Sequence, residues 1–228
     1  MDTARIAVLL EPFLEPALTP SQLDQISIYI DLLQRWNARI NLTAIRHEEE
    51  IVTRHFGESF FLARHLFPIV GPASAQALEG APSKLRLGGR GCVLDIGSGA
   101  GFPALPLKIW APRIQLTLIE SNHKKATFLR EVARALTLTD INVIADRAET
   151  ISTRPDSPQA KVVTLRAVES FKTILPQALS FLAPNGTLAL LIGATQLPHL
   201  NTILNLKWNP PITVPQSNTR VLSIGVRR

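Results

Sequence analysis

At 228 residues the chain has room for one large domain, or a domain with an appendage, and needs no staple to hold its core. Its one cysteine, Cys92, excludes an internal disulfide framework and favours a reducing compartment, and no segment reads as a signal peptide or membrane span, so the expectation is a cytoplasmic protein without a membrane partner. Charge is uneven: residues 1–88 carry 8 Lys/Arg against 10 Asp/Glu and residues 89–228 carry 16 against 8, a basic half that suits a polyanionic partner or forms an ordinary solvated surface.

Residues 21–36 place Leu23, Ile26, Ile30, Leu33 and Trp36 at helical spacing, with Thr19 or Ser21 as N-cap and Pro20 at the entrance. A second helix is predicted over 48–66, where Ile51, Val52, His55, Phe56, Ser59, Phe60 and Leu62 cover a wide face. Residues 71–90, rich in Gly, Ala, Pro and Ser and without periodicity, read as a linker or exposed insertion. They separate a helical region, 1–70, from a domain over 91–228.

From residue 91 strands and helices alternate. Strands are expected at 92–96, 115–120, 142–145, 162–165 and 187–192, and helices from 102, over 122–136 and over 171–182. That is the pattern of a doubly wound, Rossmann-like α/β fold, in which ligands gather at the carboxyl ends of the strands. The tail, 203–226, alternates weakly around Asn209-Pro210-Pro211 and reads as a terminal hairpin.

Between the first strand and its helix stands Asp95-Ile96-Gly97-Ser98-Gly99-Ala100-Gly101-Phe102-Pro103. Three alternating glycines admit positive φ and let a ligand approach the backbone, at an entropic cost that a plain turn does not require. Pro103 suits a first helical turn, which sets the helix start near Phe102. A dinucleotide fingerprint fits Gly99 to Ala104 loosely, with Glu120 as its acid. An acid at the strand end followed by Gly-x-Gly-x-Gly, the pattern for S-adenosylmethionine, fits without adjustment, and Phe102 and Pro103 crowd the place of a pyrophosphate.

Further segments extend the match. Trp36-Asn37, Asn41-Leu42-Thr43, Arg54-His55 with Glu58-Ser59, the glycine turn, Glu120-Ser121 with Lys124-Lys125 and Phe128-Leu129, Arg147-Ala148-Glu149 and Arg166-Ala167-Val168 together resemble the ribosomal RNA small-subunit methyltransferase G family, over roughly residues 30 to 195. The resemblance implies a class I methyltransferase fold with an N-terminal helical extension, S-adenosylmethionine as cofactor, and N7 of a guanine in 16S rRNA as acceptor. Two positions depart from the family's pattern: Glu58 stands where Asp is usual, and Ala104 where Gly is.

On this reading Glu120 takes hydrogen bonds from the cofactor ribose, and Ser121 and Asn122 follow it into the pocket. Asp95 holds either the N–H groups of the turn or the methionine ammonium. Gly97, Gly99, Gly101 and Phe102 form the wall, with Phe102 as a core residue the rival reading. Ala148 and Glu149 meet the adenine end, unless Glu149 is an ordinary helix-start acid. Arg166, after the fourth strand, is the expected catalytic residue and also touches the cofactor; an arginine at a buried strand end needs an anionic partner. Arg54 pairs with Glu58 or meets RNA, and His55 reads as a core histidine. Lys124 and Lys125, continued by Arg130 and Arg134, form an RNA-facing stripe or a solvated helix face. The fourth strand lacks the Asn/Asp-Pro-Pro-aromatic set that holds an exocyclic amine, and N7 of guanine carries no proton, so no general base is required. No Cys/His cluster is spaced for metal. The partner is the small ribosomal subunit or its 16S rRNA, met by a monomer. A small-molecule or protein methyltransferase on the same fold, an RNA-binding module with a relic pocket, and an NAD-dependent oxidoreductase remain as alternatives.

Overall fold

The computed structural model describes residues 1–68, 91–166, 171–203 and 205–227. The expected linker over 71–90 lies outside the described residues, as do Ala167 and Val168.

Helix α1 (Thr3–Leu10), which the sequence reading did not anticipate, is capped by the Asp2 carboxylate. Helix α2 (Pro20–Asn37) begins with a reciprocal cap: the Thr19 hydroxyl accepts the Gln22 N–H at 3.3 Å, and the Gln22 side chain accepts the Thr19 N–H at 2.9 Å. The helix expected over 48–66 is present but composite. It runs through α3 (Glu48–Glu50), a π-helical turn (Ile51–Gly57) and α4 (Glu58–Leu66). Gly57 closes the π turn against Phe13, whose ring atoms lie 2.8 Å from where a Cβ would stand.

Five parallel strands follow: β1 (Cys92–Ile96), β2 (Gln115–Ile119), β3 (Ile141–Ile144), β4 (Ala160–Arg166) and β5 (Leu182–Gly193), in the order β3-β2-β1-β4-β5. Helices α5 (Ala104–Trp110), α6 (His123–Ala135), α7 (Ala148–Ser152) and α8 (Phe171–Ser180) connect them. The expected antiparallel pairing of the tail is present, and it is also joined to the main sheet. Strand β8 (Arg220–Arg227) enters antiparallel beside β5, and both β6 (Leu206–Trp208) and β7 (Ile212–Thr213) pair with it, so the final strand lies inside the sheet. Pairing between distant strands depends on contacts that a local alternation does not record.

The helix start also moves. Gly99 and Gly101 take positive φ, the Phe102–Pro103 bond is cis, and Pro103 stands as the N-cap of α5, which begins at Ala104. Each sheet face has its own core. On one face α1, α2 and α4 pack with α5 and α6 around Tyr29, Phe56, Phe60, Leu105 and Phe128; on the other, α7 and α8 cover Leu94, Val163 and Leu165. The helical layer is tied down by Gln22 Nε2 donating to the Ile109 carbonyl, Gln25 Nε2 to that of Leu136, and Trp110 Nε1 to that of Phe67, at 2.9, 3.1 and 2.9 Å. Buried Lys108 donates to the carbonyls of Pro112 and Ile114 at 2.7 and 2.6 Å, and the Asp140 charge favours its cation.

Candidate functional site

At the carboxyl end of β1 the chain turns on Gly97, Gly99 and Gly101, whose φ angles are +67°, +55° and +88°. The first and third do different work. A Cβ at Gly97 would meet nothing within 4 Å, whereas one at Gly101 would lie 2.3 Å from the Tyr29 hydroxyl and 2.6 Å from Leu105 Cδ1. Gly101 is therefore a packing glycine, and Gly97 borders free space. Tyr29, from α2, donates its hydroxyl to the Ala100 carbonyl and so fixes the turn from the helical layer.

Glu120, one residue past β2, is buried and aimed at this turn. Its Oε2 accepts the Gly99 N–H at 2.7 Å and its Oε1 the Asn122 N–H at 2.8 Å. A carboxylate has about four acceptor positions, so two remain for a ligand. Asn122 caps α6, its side chain accepting the N–H groups of Lys124 and Lys125 at 2.9 and 3.2 Å. Ser121, Asn122 and Lys124 are exposed and Lys125 is half-buried. Ala148, buried, opens α7 at the end of β3, and Glu149 beside it is exposed.

Asp95 does not hold the turn. The N–H groups of Gly97 and Ser98 go to the Ile119 carbonyl at 2.8 and 3.1 Å, and that of Gly99 goes to Glu120. Instead Asp95 Oδ1 accepts the hydroxyl of its register partner Thr164 on β4 at 2.6 Å, while buried Oδ2 has no partner. Burial lifts this carboxyl from 3.8 to about 7; the Thr164 hydroxyl opposes the shift and the Glu120 charge adds to it.

The Phe102 ring is a core side chain. It lies nearly parallel to Tyr29 at 5.2 Å and to His55 at 4.6 Å, and meets Phe56 edge-on at 5.0 Å. His55, from the π turn, faces the Thr43 hydroxyl through Nε2 at 2.8 Å, and its Nδ1 is buried without a partner. Burial first, then the charges of Arg166, Arg54 and Arg220, depress His55 to about 2, so the ring is neutral.

The anionic partner that Arg166 requires is Glu58 on α4. Arg166 Nη2 donates to Glu58 Oε2 at 3.1 Å and to the Arg54 carbonyl at 2.6 Å, while Nε is buried and unpartnered. The same carboxylate takes Arg54 Nε at 3.1 Å and Arg220 Nη1 at 2.8 Å. Arg54 thus pairs within the protein, one of its two expected roles. Sequence reasoning missed Arg220, whose register beside Gly193 depends on the inserted β8; no local pattern marks it. Three arginines around one buried carboxylate, with Glu50 3.8 Å from Arg54 at the margin, leave surplus positive charge at the end of β4. Among the described residues no group of His, Cys, Asp or Glu is placed to hold a metal, and no helix is long and apolar enough to cross a membrane.

A cleft of about 480 Å³ lies at the opposite edge, along the amino ends of β1 to β4, lined by Cys92, Gln115, Asp140 and Gln159 among others. It contains none of the candidate residues, and sheets of this topology bind ligands at the carboxyl edge.

Residues 22–70 and 77–205 match the family model described as rRNA small subunit methyltransferase G. Curated proteins named ribosomal RNA small subunit methyltransferase G are similar over most of the chain. The one from Chloroflexus aggregans is 41% identical over 172 residues, 75% of this chain and 64% of its own. That from Roseiflexus castenholzii is 40% identical over 178 residues, covering 75% and 68%. The Bacillus subtilis relative is 33% identical over 187 residues, covering 81% and 70%. The chain therefore spans about two thirds of the length of these relatives. Among solved structures, ribosomal protein L11 methylase from Lactobacillus delbrueckii subsp. bulgaricus is similar with a TM-score of 0.53 and 15% identity, over 75% of this chain and 80% of that one. The fibrillarin/NOP5P complex gives 0.51 and 17%, over 68% and 80%. At these identities the likeness is one of fold, the Rossmann-like fold of class I methyltransferases.

Proposed function

The chain belongs to the rRNA small subunit methyltransferase G family, and on that premise we propose that it transfers a methyl group from S-adenosylmethionine to N7 of a guanine in 16S rRNA of the small ribosomal subunit. The observation that carries the reading is the Glu120 carboxylate, held by two main-chain N–H groups beside the glycine turn with acceptor positions to spare. Two vicinal ribose hydroxyls suit those positions.

The residues present fit the cofactor. Gly97 borders free space, Asp95 offers an unpartnered carboxylate oxygen, and Ala148 with Glu149 stands at the next strand end for the adenine. Gly99, Gly101, Phe102, Ser121 and Asn122 contribute through main chain and shape, since the Phe102 ring is committed to the core. S-adenosylmethionine supplies a methyl group made electrophilic by its sulfonium. Guanine N7 brings its own lone pair and no proton, so the protein's work is alignment, which can supply several kcal/mol. Arg166 stands where the acceptor base must be presented, and the surplus positive charge there suits guanine O6 or a neighbouring phosphate. Arg54, Lys124 and Lys125 extend that charge toward the RNA. Regions 1–70 and 91–228 then act as helical cover and cofactor domain of a cytoplasmic monomer.

The test incubates the protein with radiolabelled S-adenosylmethionine and small subunits lacking the modification, then maps the label by mass spectrometry and N7-specific strand cleavage. Label on one 16S guanine at N7, lost in Arg166→Ala, is the expected result. Cofactor binding without rRNA labelling at low salt would move the reading to a small-molecule or protein substrate.

A further inference from the structure

The helix that joins β3 to β4 is short for the sheet it serves. α7 spans five residues, about 7.5 Å, whereas a five-residue strand such as β2 runs about 16 Å. Among the described residues the amino ends of β1, β2 and β3 stay open on that face, and the cleft of about 480 Å³, a volume in the range of ligand sites, lies there. Register fixes its floor. Leu94, Thr117 and Asn142 are neighbours across β1, β2 and β3 and share the face, with Cys92 and Gln115 in the row before them. Asp140 and Gln159 line the same cleft.

The polar groups of the cleft have their roles set by their other partners. Cys92 Sγ donates to Gln115 Oε1 at 3.1 Å, which leaves the N–H end of that amide for a ligand. Gln159 Nε2 donates to the Ser180 carbonyl at 2.7 Å, which leaves its oxygen, and Asp140 adds an exposed carboxylate that only accepts. Gln115 and Asp140 directly precede the register partners Leu116 and Ile141, so donor and acceptor sit on strands about 4.8 Å apart. Among the described residues no cation lines the cleft, so it does not hold a phosphate. An ammonium or guanidinium has no acceptor for the Gln115 donor. The pairing edge of guanine presents one acceptor, O6, and two donors, N1–H and N2–H, which answers one donor and two acceptors. Uracil carries the reverse set, and adenine and cytosine have one donor group each.

We propose that this cleft receives the pairing edge of an unpaired guanine in the RNA substrate, a second guanine held at the amino end of the sheet, with Gln115 donating to O6 and with Asp140 and Gln159 accepting from N1–H and N2–H. The RNA source rests on the function proposed above; the match to guanine does not. Unpaired bases of an RNA are splayed out and read on this edge. Charge agrees with the assignment. The cleft itself carries only the Asp140 charge, and the cations that suit phosphates stand outside it: exposed Arg113 two residues before Gln115, and exposed Lys161 directly after Ala160. The cleft lies a strand's length from the glycine turn, so it selects the RNA and takes no part in methyl transfer.

Fluorescence anisotropy with labelled RNA pentamers tests it, each with uridines around a central 7-deazaguanosine or 7-deazaadenosine. Neither base has the N7 that the transfer site addresses, and the two differ in pairing edge. The wild type should bind the 7-deazaguanosine pentamer about tenfold more tightly. Gln115→Glu, which keeps the oxygen that takes the Cys92 thiol and loses the N–H donors, should remove the preference, and so should Asp140→Asn, with unchanged thermal unfolding midpoints showing both variants folded. Equal wild-type affinity for the two pentamers, or a preference that both variants keep, overturns the guanine cleft, whether or not 16S rRNA is labelled in the assay above. Guanosine 5′-monophosphate binding as tightly as the 7-deazaguanosine pentamer overturns RNA as the source. Absence of rRNA labelling by the wild type, with the preference present and lost in both variants, overturns the proposed reaction and leaves the guanine cleft standing.

Discussion

Glu58 concentrates the electrostatics of the site in one side chain. Only 2% of it is exposed, and it is the carboxylate that Arg166, itself 6% exposed, holds in an ion pair. Glu58→Gln keeps the volume and removes the charge, which leaves Arg166 buried and uncompensated; urea unfolding should show about 3–5 kcal/mol of lost stability. Arg54→Ala, at a side chain 40% exposed, should cost less than about 1 kcal/mol in the same measurement. Two other buried groups make stability depend on pH with opposite signs. His55, depressed from 6.5 to about 2, stays neutral in the fold while the unfolded chain takes up a proton, so its contribution is complete above 6.5 and is lost as pH falls. Asp95, raised from 3.8 to about 7, keeps its proton in the fold while the unfolded chain releases it, so stability falls as pH rises through that interval. Arg166, Glu120, Tyr29 and the hydroxyls of Thr164 and Ser98 face it. In the overlap the two effects oppose. Asp95→Asn should steepen the acid loss of stability and His55→Phe should flatten it, each by at most about 1.4 kcal/mol per pH unit, read from urea unfolding across the window.

The glycine turn makes a separate prediction, because its glycines are required for different reasons. Gly101→Ala sets a methyl group against Tyr29 and Leu105 at positive φ, and should lower the thermal unfolding midpoint by several degrees. Gly97→Ala meets no neighbour and carries only the left-handed backbone penalty of about 1–2 kcal/mol. That variant should fold, with its main loss in cofactor affinity by calorimetry. This turn was legible in the sequence because its information is local: the acid, the glycine spacing and the flanking apolar strand are contiguous. The five parallel strands were legible for the same reason, within two residues at their ends except for β5, which begins at Leu182, five residues before the expected start. The start of α5 was read two residues early, since Pro103 serves as N-cap where its residue type equally suits a first helical turn. The π turn escaped because its apolar residues, Ile51, Val52 and Phe56, fit helical spacing as well. Helix α1 escaped because its eight residues gain stability from packing against the π turn and α2 more than from their own pattern. Arg220 and the joint role of Glu58 depend on which distant segments meet, which no local spacing shows.

Across the whole molecule, charge and topology divide the labour. Most of the surplus positive charge belongs to residues 89–228, and affinity for a 16S rRNA fragment should fall linearly with salt on a double-logarithmic plot. Lys124→Ala and Lys125→Ala should each reduce that slope by roughly 1, measured by fluorescence anisotropy over a salt series; an unchanged slope would assign that helix face to solvent. Topology sets the order in which the site can be completed. Glu58 is met by Arg54 four residues earlier, by Arg166 108 residues later and by Arg220 162 residues later. During translation the carboxylate emerges long before its distant cations: at about 5–20 residues per second, the interval to residue 220 is about 8–30 s. Arg54 answers its charge from the outset, and Arg166 joins it more than fifty residues before Arg220 is made. The net positive charge around Glu58 is therefore the last property of the site to be completed, and it depends on β8 taking its place between β5 and β6.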